Sequence, residues 1–346
     1  MQPTARPLAP GDAAAYDELV WADPDAMVYA TLAWRDFLAA AAGGKPRYLV
    51  LEDERGLAGA LPALALTAAE GTVVNSLPWY GSHGGCILRD RGSADVRERL
   101  LAAFAAALPD DLVSCTVVLT PAESAHADTY ATALRSTAED ARIGQVTDLP
   151  GPDGAEAALE QNFQQKTRNL VRKARRQGFE RVVTDEEWAW DFLVATHEAN
   201  IRAIGGLPKP RSHFDALRRT LPAEWLRLSV ALDASRPVAA LLLVRFARTV
   251  EYLTPVIVHD ARPRQPLSFL IWEEMLAAVA DGFARWNWGG TWIGQQSLHH
   301  FKAGFGARDL PYRYVVTAPQ AWAERLPADA RALAPSFPYY YVCPYA

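Results

Sequence analysis

The chain has 346 residues, of which 50% are hydrophobic and 22% charged, with a formal net charge of -5 and three cysteines. This length suggests two domains or one large one, and the apolar content excludes a disordered or low-complexity protein. Cys86, Cys115 and Cys343 are scattered, which argues against a disulfide-stapled scaffold and against the paired spacing of a zinc site. The acidic balance argues against a protein that coats nucleic acid with its whole surface.

The N-terminal segment predicts a cytoplasmic protein. Residues 1–11 are polar and proline-rich without an apolar core, which is not the pattern of a signal peptide. No apolar run reaches the roughly 20 residues that a membrane helix needs, so we expect no membrane span. We also expect no bound metal ion, no DNA partner and a monomeric chain.

The same order of elements occurs twice along the chain. An apolar hairpin pattern with a tight turn spans 47–66, and a similar pattern spans 226–244. A helical pattern precedes each hairpin, and a strand, a loop, a helix and a strand follow it. The patterns surrounding the hairpins are 30–41, 72–75, 94–108 and 112–119 in the first half, and 188–204, 250–258, 268–281 and 283–288 in the second. The sequence therefore predicts an α/β (α+β) fold made of one duplicated domain.

A basic segment lies between the two halves. A Pro/Gly-rich break at 150–154 divides the chain into predicted domains 1–150 and 151–346. The second domain begins with a predicted amphipathic helix over 161–181, whose apolar face can pack while its basic face stays in water. The cations of this helix include Lys166, Arg168, Arg172, Lys173, Arg175 and Arg176. They form either an ordinary solvated face or a surface that binds the phosphates of tRNA or of another anionic ligand.

Three stretches resemble the FemABX family of non-ribosomal peptidyl transferases, which are built from two GNAT-type acyltransferase domains. The first, 166–178, is similar to the family's basic helix of form K-x-R-x-x-[IV]-[RK]-K-A-x-x-x-G. The second, 205–214, resembles the family's substrate-facing loop before a helix. The third combines the Trp-Gly-Gly run 288–290 with Phe-Lys-Ala-Gly-Phe-Gly at 301–306, similar to the family's strand-Gly-Gly and F-K-x-x-F-G signature. The resemblance covers about residues 25–316 and implies two tandem GNAT-like domains with mixed, mainly antiparallel sheets.

The resemblance implies transfer of an activated acyl group onto a primary amine, with formation of an amide bond. It implies aminoacyl-tRNA as co-substrate, no cofactor, and a small-molecule or peptide amine as acceptor. Acyl-CoA as the donor and a peptidoglycan precursor as the acceptor remain open as alternatives. A duplicated domain that keeps only a ligand cleft, without catalysis, is a further alternative.

The resemblance also implies the residues of the site. Lys302 would contact the reacting end of the donor and stabilise the charge that develops on the tetrahedral oxyanion, while Phe301 shapes the site. Lys209 and Arg211 flank a proline that stiffens their loop, and we expect them to bind phosphate or carboxylate groups. The remaining expected substrate contacts are aromatic, namely Tyr252, Phe305, Trp34 and Tyr80.

Two positions depart from the pattern of the peptidoglycan members. Leu38 stands where a phosphate-binding lysine follows the early tryptophan, and Thr120 stands in place of an acid before a proline. Both departures argue against an acceptor that carries a pyrophosphate.

The loop at 262–268 departs from the ordinary GNAT pattern. It reads Arg-Pro-Arg-Gln-Pro-Leu-Ser and lacks the glycines of the loop that holds the CoA pyrophosphate. Its prolines carry no amide proton for such a phosphate, which argues against acyl-CoA. No Asp or Glu stands out as a general base, and His299 and His300 are candidates for proton transfer near Lys302.

Overall fold

The computed structural model describes residues 4–79 and 83–343. The chain divides into unit 1, which comprises Met1–Ile143 and Pro311–Ala346, and unit 2, which comprises Gly144–Leu310. The sequence-based division at 150/151 differs from this one because it assigns the C-terminal segment to the second domain. The structure assigns that segment to unit 1, since its strand pairs antiparallel with a unit 1 strand, with Tyr314 opposite Val118.

Unit 1 contains a hairpin followed by a parallel strand–helix–strand arrangement. Its strands before the boundary are β1 (Arg6–Pro7), β2 (Lys45–Pro46), β3 (Leu49–Asp53), β4 (Gly56–Leu61), β5 (Leu64–Ala68), β6 (Gly71–Ser76), β7 (Ile87–Leu88) and β8 (Leu112–Val118). Its helices there are α1 (Ala13–Trp21), α2 (Leu32–Ala41), α3 (Ala94–Ala106) and α4 (Ala127–Leu134). β3 and β4 pair antiparallel, whereas β6 and β8 pair parallel, with α3 between them in sequence.

Unit 2 repeats this arrangement. Its strands are β9 (Ala138–Asp148), which enters from unit 1, β10 (Glu180–Val183), β11 (Leu226–Asp233), β12 (Arg236–Phe246), β13 (Thr249–Ile257) and β14 (Arg285–Thr291). Its helices are α5 (Ala155–Asn162), α6 (Gln165–Arg175), α7 (Glu187–Ala203), α8 (Arg211–Thr220), α9 (Pro266–Ala280) and α10 (Gln296–Gly304). The strands of this unit follow the order β10-β11-β12-β13-β14-β9. β11 and β12 form an antiparallel hairpin, and β13 and β14 pair parallel across α9.

The chain returns to unit 1 through β15 (Arg308–Thr317) and ends with α11 (Gln320–Ala323) and α12 (Leu326–Leu333). Each unit thus contains a hairpin followed by a parallel pair with an intervening helix. The predicted α/β fold with a duplicated domain and mixed, mainly antiparallel sheets is confirmed.

The basic segment forms two helices, whereas the sequence predicted one over 161–181. α5 ends at Asn162 and α6 begins at Gln165, because Phe163 and Gln164 adopt extended backbone conformations. The Phe163 ring is buried in the unit 2 core, with its centroid 5.2 Å from that of Phe305. The break therefore lets one aromatic side chain enter the core while the cations of α6 remain outside.

No helix within the described ranges is long and apolar enough to cross a membrane. Within the same ranges, no cluster of three or more His, Cys, Asp or Glu side chains is placed to hold a metal ion.

Candidate active site

The parallel strands of unit 2 separate soon after they pair. β13 and β14 pair only from Thr249 opposite Arg285 to Glu251 opposite Asn287. Within the same strand, the register of β13 against β12 shifts between Tyr252 and Thr254, which marks a β-bulge. A bulge bends its strand and increases the local twist, so β13 turns away from β14. The result is a gap at the carboxyl ends of two parallel strands, where ligands bind in α/β sheets.

The equivalent place in unit 1 is filled by the chain itself. Beyond β6 and β8, Gly84 bridges Leu119, and its N–H donates to the carbonyl of Val118 at 2.6 Å. A Cβ on Gly84 would lie 2.1 Å from the carbonyl oxygen of Ser76, so only glycine fits there. We therefore place the candidate active site in unit 2.

Lys302 lies in α10, beside the end of β14. Its side chain is 3% exposed, and the ammonium donates to the carbonyls of Gly289 at 3.3 Å and Gly290 at 3.2 Å. It also donates to the Thr291 hydroxyl at 2.7 Å. Among the described residues no carboxylate pairs with it, and burial without a countercharge lowers the pKa of Lys302 to about 8. The structure thus holds an isolated cation at the gap.

This lowered pKa predicts a pH-dependent contribution to stability. Between about pH 8 and 10.5, folded Lys302 binds fewer protons than the unfolded chain, so its contribution to the free energy of unfolding increases with pH. We expect Lys302→Met to weaken the pH dependence measured by urea unfolding at pH 7.5 and 9.5. Exposed Lys173→Met is the control and should leave the dependence unchanged. Equal dependence in wild type and Lys302→Met would contradict the prediction.

An aromatic cluster adjoins Lys302. The ring centroid of Trp288 lies 4.9 Å from that of Tyr252, 5.3 Å from Phe305 and 6.1 Å from Phe301. Phe305 is buried and Tyr252 half-buried, whereas Phe301 is 38% exposed. Desolvation raises the pKa of the Tyr252 hydroxyl, which therefore stays protonated. Phe301 thus presents an exposed ring beside the buried ring of Phe305, with their centroids 5.3 Å apart, and substrate contact by these aromatic side chains stays a prediction.

Lys209 reaches the separated part of β13. Its ammonium donates to the Thr254 hydroxyl at 3.1 Å, and burial lowers its pKa to about 8. Its backbone N–H donates to Nε2 of His197 at 3.1 Å, so the imidazole is neutral and carries its proton on Nδ1. Burial, with the nearby Lys209 charge, lowers the pKa of His197 to about 4. Lys209 thus lies beside the gap, and its binding of phosphate or carboxylate groups stays a prediction.

Arg211 is the first residue of α8, so it belongs to a helix rather than to the loop. Its guanidinium forms ion pairs with Glu187, Asp191 and Asp215. These contacts join α8 to α7. Anion binding by Arg211 stays a prediction, and an incoming anion would have to compete with three carboxylates.

Two predicted contacts belong to unit 1. Tyr80 lies outside the described residues. Trp34 is fully buried, with ring centroids of Tyr29 and Phe37 at 5.2 and 4.8 Å. The side chain is enclosed by core aromatics, and its substrate contact stays a prediction.

The six cations from Lys166 to Arg176 differ in their partners. Arg172 and Arg175 form ion pairs with Glu160 and Glu156 of α5, each at 2.7 Å. Arg168 donates to backbone carbonyls, including that of Phe163 at 2.6 Å. Like Arg168, the other three cations form no ion pair within the described ranges: Lys166, Lys173 and Arg176.

We call Lys166, Lys173 and Arg176 the basic edge, because their spacing of seven and three residues places them along one side of α6. Arg176 is the residue that caps the helix. Lys173 donates to the carbonyl of Pro263 at 3.0 Å, in the segment that precedes α9. The basic edge therefore adjoins the loop from which α9 begins.

The two histidines beside Lys302 have other partners. His299 Nε2 lies 2.9 Å from Asp309, and His300 Nδ1 lies 2.6 Å from the carbonyl of Gln296. The carbonyl can only accept, so Nδ1 of His300 carries the proton. Proton transfer by either histidine stays a prediction.

Sequence reasoning missed four buried polar residues at this site. Glu251 accepts from the side chain of Asn287 at 2.7 Å, at the last paired position of β13 and β14. Gln145 accepts from the hydroxyl of Thr291 at 3.0 Å. An acid within an apolar strand was a readable signal for Glu251. Gln145 carried no such signal, because its partners are distant in sequence.

A sequence model described as an acetyltransferase (GNAT) domain matches residues 161–303, which include the gap, Lys302 and every member of the aromatic cluster except Phe305. The structure of FemX is similar over 90% of this chain and 97% of that chain, with a TM-score of 0.72 and 13% identity. The chain has the FemABX-like tandem GNAT fold. The resemblance that the three sequence stretches carry is thereby confirmed as a fold assignment.

Other tandem GNAT folds are also similar. A tandem GNAT protein from the clavulanic acid biosynthesis pathway has a TM-score of 0.57 and 13% identity, covering 92% of this chain and 98% of that one. The C-terminal domain of a putative lysylphosphatidylglycerol synthetase from Agrobacterium fabrum has a TM-score of 0.56 and 15% identity, covering 93% and 96%. No curated protein matches the sequence. The GNAT match supports a transferase of the acyltransferase kind.

Proposed function

We propose that the chain transfers an aminoacyl group from aminoacyl-tRNA to the primary amine of a small-molecule or peptide acceptor. The amine nitrogen attacks the ester carbonyl, a C–N bond forms, and the C–O bond to the tRNA ribose breaks. The amine loses a proton and the departing ribose oxygen gains one. Because charged tRNA is the donor, the proposal includes action in the cytoplasm.

Within this reaction the gap between β13 and β14 receives the ester carbonyl. The tetrahedral intermediate carries negative charge on that oxygen, and a cation fixed nearby stabilises it. Lys302 is such a cation, and Phe301 presents an exposed ring beside it. Phe301 would exclude water on that side of the reacting ester.

The observation that carries the choice of tRNA is the basic edge. Its three cations form no ion pair among the described residues and lie along one side of α6, and Lys173 contacts the segment before α9. In the GNAT pattern this segment faces the phosphates of the donor. A single-stranded RNA end presents phosphates at regular spacing, and cations without local partners can neutralise them.

The same segment supports tRNA over acyl-CoA. Pro263 and Pro266 provide no amide donors, and the N–H of Gln265 donates back to the carbonyl of Arg262. Arg264 is already paired with Asp233. A compact pyrophosphate would find few free donors in this loop, whereas the extended basic edge suits an extended polyanion.

The experiment incubates the protein with charged tRNA and a panel of amines, and detects new amides by mass spectrometry. Parallel reactions contain acyl-CoA, or charged tRNA after ribonuclease treatment. We expect amides only with intact charged tRNA. Transfer from acyl-CoA, or transfer that survives ribonuclease, would reject the proposal.

The basic edge predicts a specific salt dependence. We expect the double variant Lys166→Gln/Lys173→Gln to raise KM for charged tRNA about tenfold or more. It should also reduce the slope of log KM against log salt by roughly 1.5, because each phosphate contact contributes about 0.7–0.9. The matched control is Arg172→Gln/Arg175→Gln, which removes the same charge from the same helix at ion-paired positions. Equal salt slopes in both variants would contradict the assignment of the basic edge.

A further inference from the structure

A chain of buried hydrogen bonds begins at the ammonium of Lys302. Its shortest bond, 2.7 Å, is to the hydroxyl of Thr291 at the end of β14. That hydroxyl lies 3.0 Å from Oε1 of Gln145 on the neighbouring strand β9. Thr291 and Gln145 are both 0% exposed. The three side chains thus form one network inside unit 2.

The direction of each bond in this network is fixed. An ammonium has no lone pair, so Lys302 donates and the Thr291 oxygen accepts. The single hydroxyl proton of Thr291 must then go to Oε1 of Gln145. The other end of that amide, Nε2, donates to the backbone carbonyl of His299 at 3.2 Å. The carbonyl of α10 therefore determines which end of the amide faces Thr291.

The network favours the charged form of Lys302. If the lysine lost its proton, its nitrogen would no longer supply three donors to the carbonyls of Gly289 and Gly290 and to Thr291. Hydrogen bonds in a chain polarise one another, so the donation from Thr291 to Gln145 strengthens the Thr291 oxygen as an acceptor. This stabilisation acts against the cost of burying the charge.

We propose that Thr291 and Gln145 are positioning residues that hold the Lys302 ammonium at the end of β14 and act on the proposed transfer only through this lysine. The effect on transfer rests on the proposed function. The effect on the protonation of Lys302 does not depend on it. Neither residue would touch the substrate.

Other titratable groups on the surrounding elements are engaged elsewhere. His299 pairs with Asp309 at 2.9 Å, and Asp148 of β9 pairs with Arg308 at 2.6 Å. Arg168 of α6 donates to backbone carbonyls. The remaining charged or titratable groups on these elements are Lys166, Arg172, Lys173 and Arg175 on α6, Glu139, Asp140 and Arg142 on β9, Arg285 on β14 and His300 on α10. None of these groups forms a hydrogen bond or ion pair with Lys302 among the contacts of the described residues.

The test measures the protonation of Lys302 directly. The chain has only five lysines, so NMR of protein labelled with ¹³C at lysine Cε gives few signals, and Lys302→Arg identifies the one from Lys302. Thr291→Val keeps the volume and removes the hydroxyl. We expect it to lower the pKa of Lys302 by about one pH unit or more, since the charged form loses a hydrogen bond. Gln145→Met should shift it in the same direction by less.

Two further variants distinguish the loss of the hydrogen bond to Lys302 from a general disturbance of the unit 2 core. Thr291→Ser restores the hydroxyl and should restore the pKa. Thr147→Val removes another fully buried hydroxyl of unit 2, one that bonds Trp288 and the carbonyl of Phe305, and should leave the pKa of Lys302 unchanged. An equal shift in Thr147→Val, or no shift in Thr291→Val, would overturn the proposal.

Transfer assays connect the network to activity. We expect Thr291→Val to lower kcat about tenfold with little change in KM, and its alkaline limb to move to lower pH. A lowered pKa in Thr291→Val together with no transfer by the wild type would support the network and reject the proposed function. Transfer by the wild type that is unchanged in Thr291→Val would reject the positioning role.

Discussion

Replacement of Lys302 by methionine is expected to lower kcat for aminoacyl transfer by about 10²–10³-fold. The loss of one group that stabilises the oxyanion costs about that much in other acyl-transfer enzymes. Methionine retains most of the volume of a side chain that is 3% exposed, so the effect should reflect the missing ammonium rather than a cavity. Single-turnover rates with a saturating amine, at temperatures below the melting point of the variant, measure it.

Two controls accompany this variant. Lys302→Arg keeps the charge, but a planar guanidinium cannot reproduce the three hydrogen bonds of the ammonium, so we expect little recovery. Lys173→Met removes an exposed lysine and should affect KM for tRNA rather than kcat. Wild-type kcat in Lys302→Met would remove Lys302 from the reaction and return the site to a binding role.

Replacement of Arg97 by leucine is expected to destabilise unit 1 by about 3–5 kcal/mol, because it breaks a buried ion pair. Arg97 in α3 makes a bidentate contact with Glu123, with bonds of 2.8 and 2.9 Å and side-chain exposures of 2% and 8%. The leucine would leave the Glu123 carboxylate buried, with the Tyr130 hydroxyl as its remaining side-chain donor. Urea unfolding followed by circular dichroism measures the change.

The matched control is Arg99→Leu on the same helix. Arg99 pairs with the exposed Asp95 at 3.2 Å, and such a surface pair contributes at most about 1 kcal/mol. The double variant Arg97→Leu/Glu123→Leu should regain part of the loss, since it removes the stranded charge as well. A similar effect of Arg97→Leu and Arg99→Leu would contradict the assigned importance of the buried pair.

The two units differ at the end of their parallel strand pair. Both contain a parallel strand pair. In unit 1 the bridge from Gly84 to Leu119 closes the region beyond that pair. In unit 2 the pairing stops at Glu251, and Lys302 lies beside the open end. The proposed reaction therefore needs only one of the two copies for chemistry.

Sequence reasoning about the site worked from local signals. The Phe-Lys-x-x-Phe-Gly run pointed to Lys302, which is buried and hydrogen-bonded at the end of β14, while its role in transfer stays a prediction. Sequence reasoning placed Trp34 at a substrate, whereas the structure encloses its side chain in the core. A tryptophan on an amphipathic helix can face a cleft or a core, and only the packing against Tyr29 and Phe37 decides between them.

The charge pattern of α6 likewise predicted a basic surface but not the partners of its cations. The segment 161–181 carries seven cations, but its sequence does not say which of them have partners. Arg172 and Arg175 are neutralised by acids that lie 12 and 19 residues earlier, because the break at Phe163 folds α5 back beside α6. That break also leaves the basic edge as the part without ion pairs.

The length, the repeated order of elements and the signature runs determined by themselves that this chain holds one α/β domain twice. These features are local, since hairpins, caps and amphipathic helices depend on residues a few positions apart. The tertiary structure alone decided that residues 311–346 join unit 1 and that Thr291 and Gln145 support Lys302. Those two residues are 146 positions apart and meet only because β9 and β14 are neighbours in the sheet. Long-range strand pairing, which leaves no mark in local sequence, therefore completes the site.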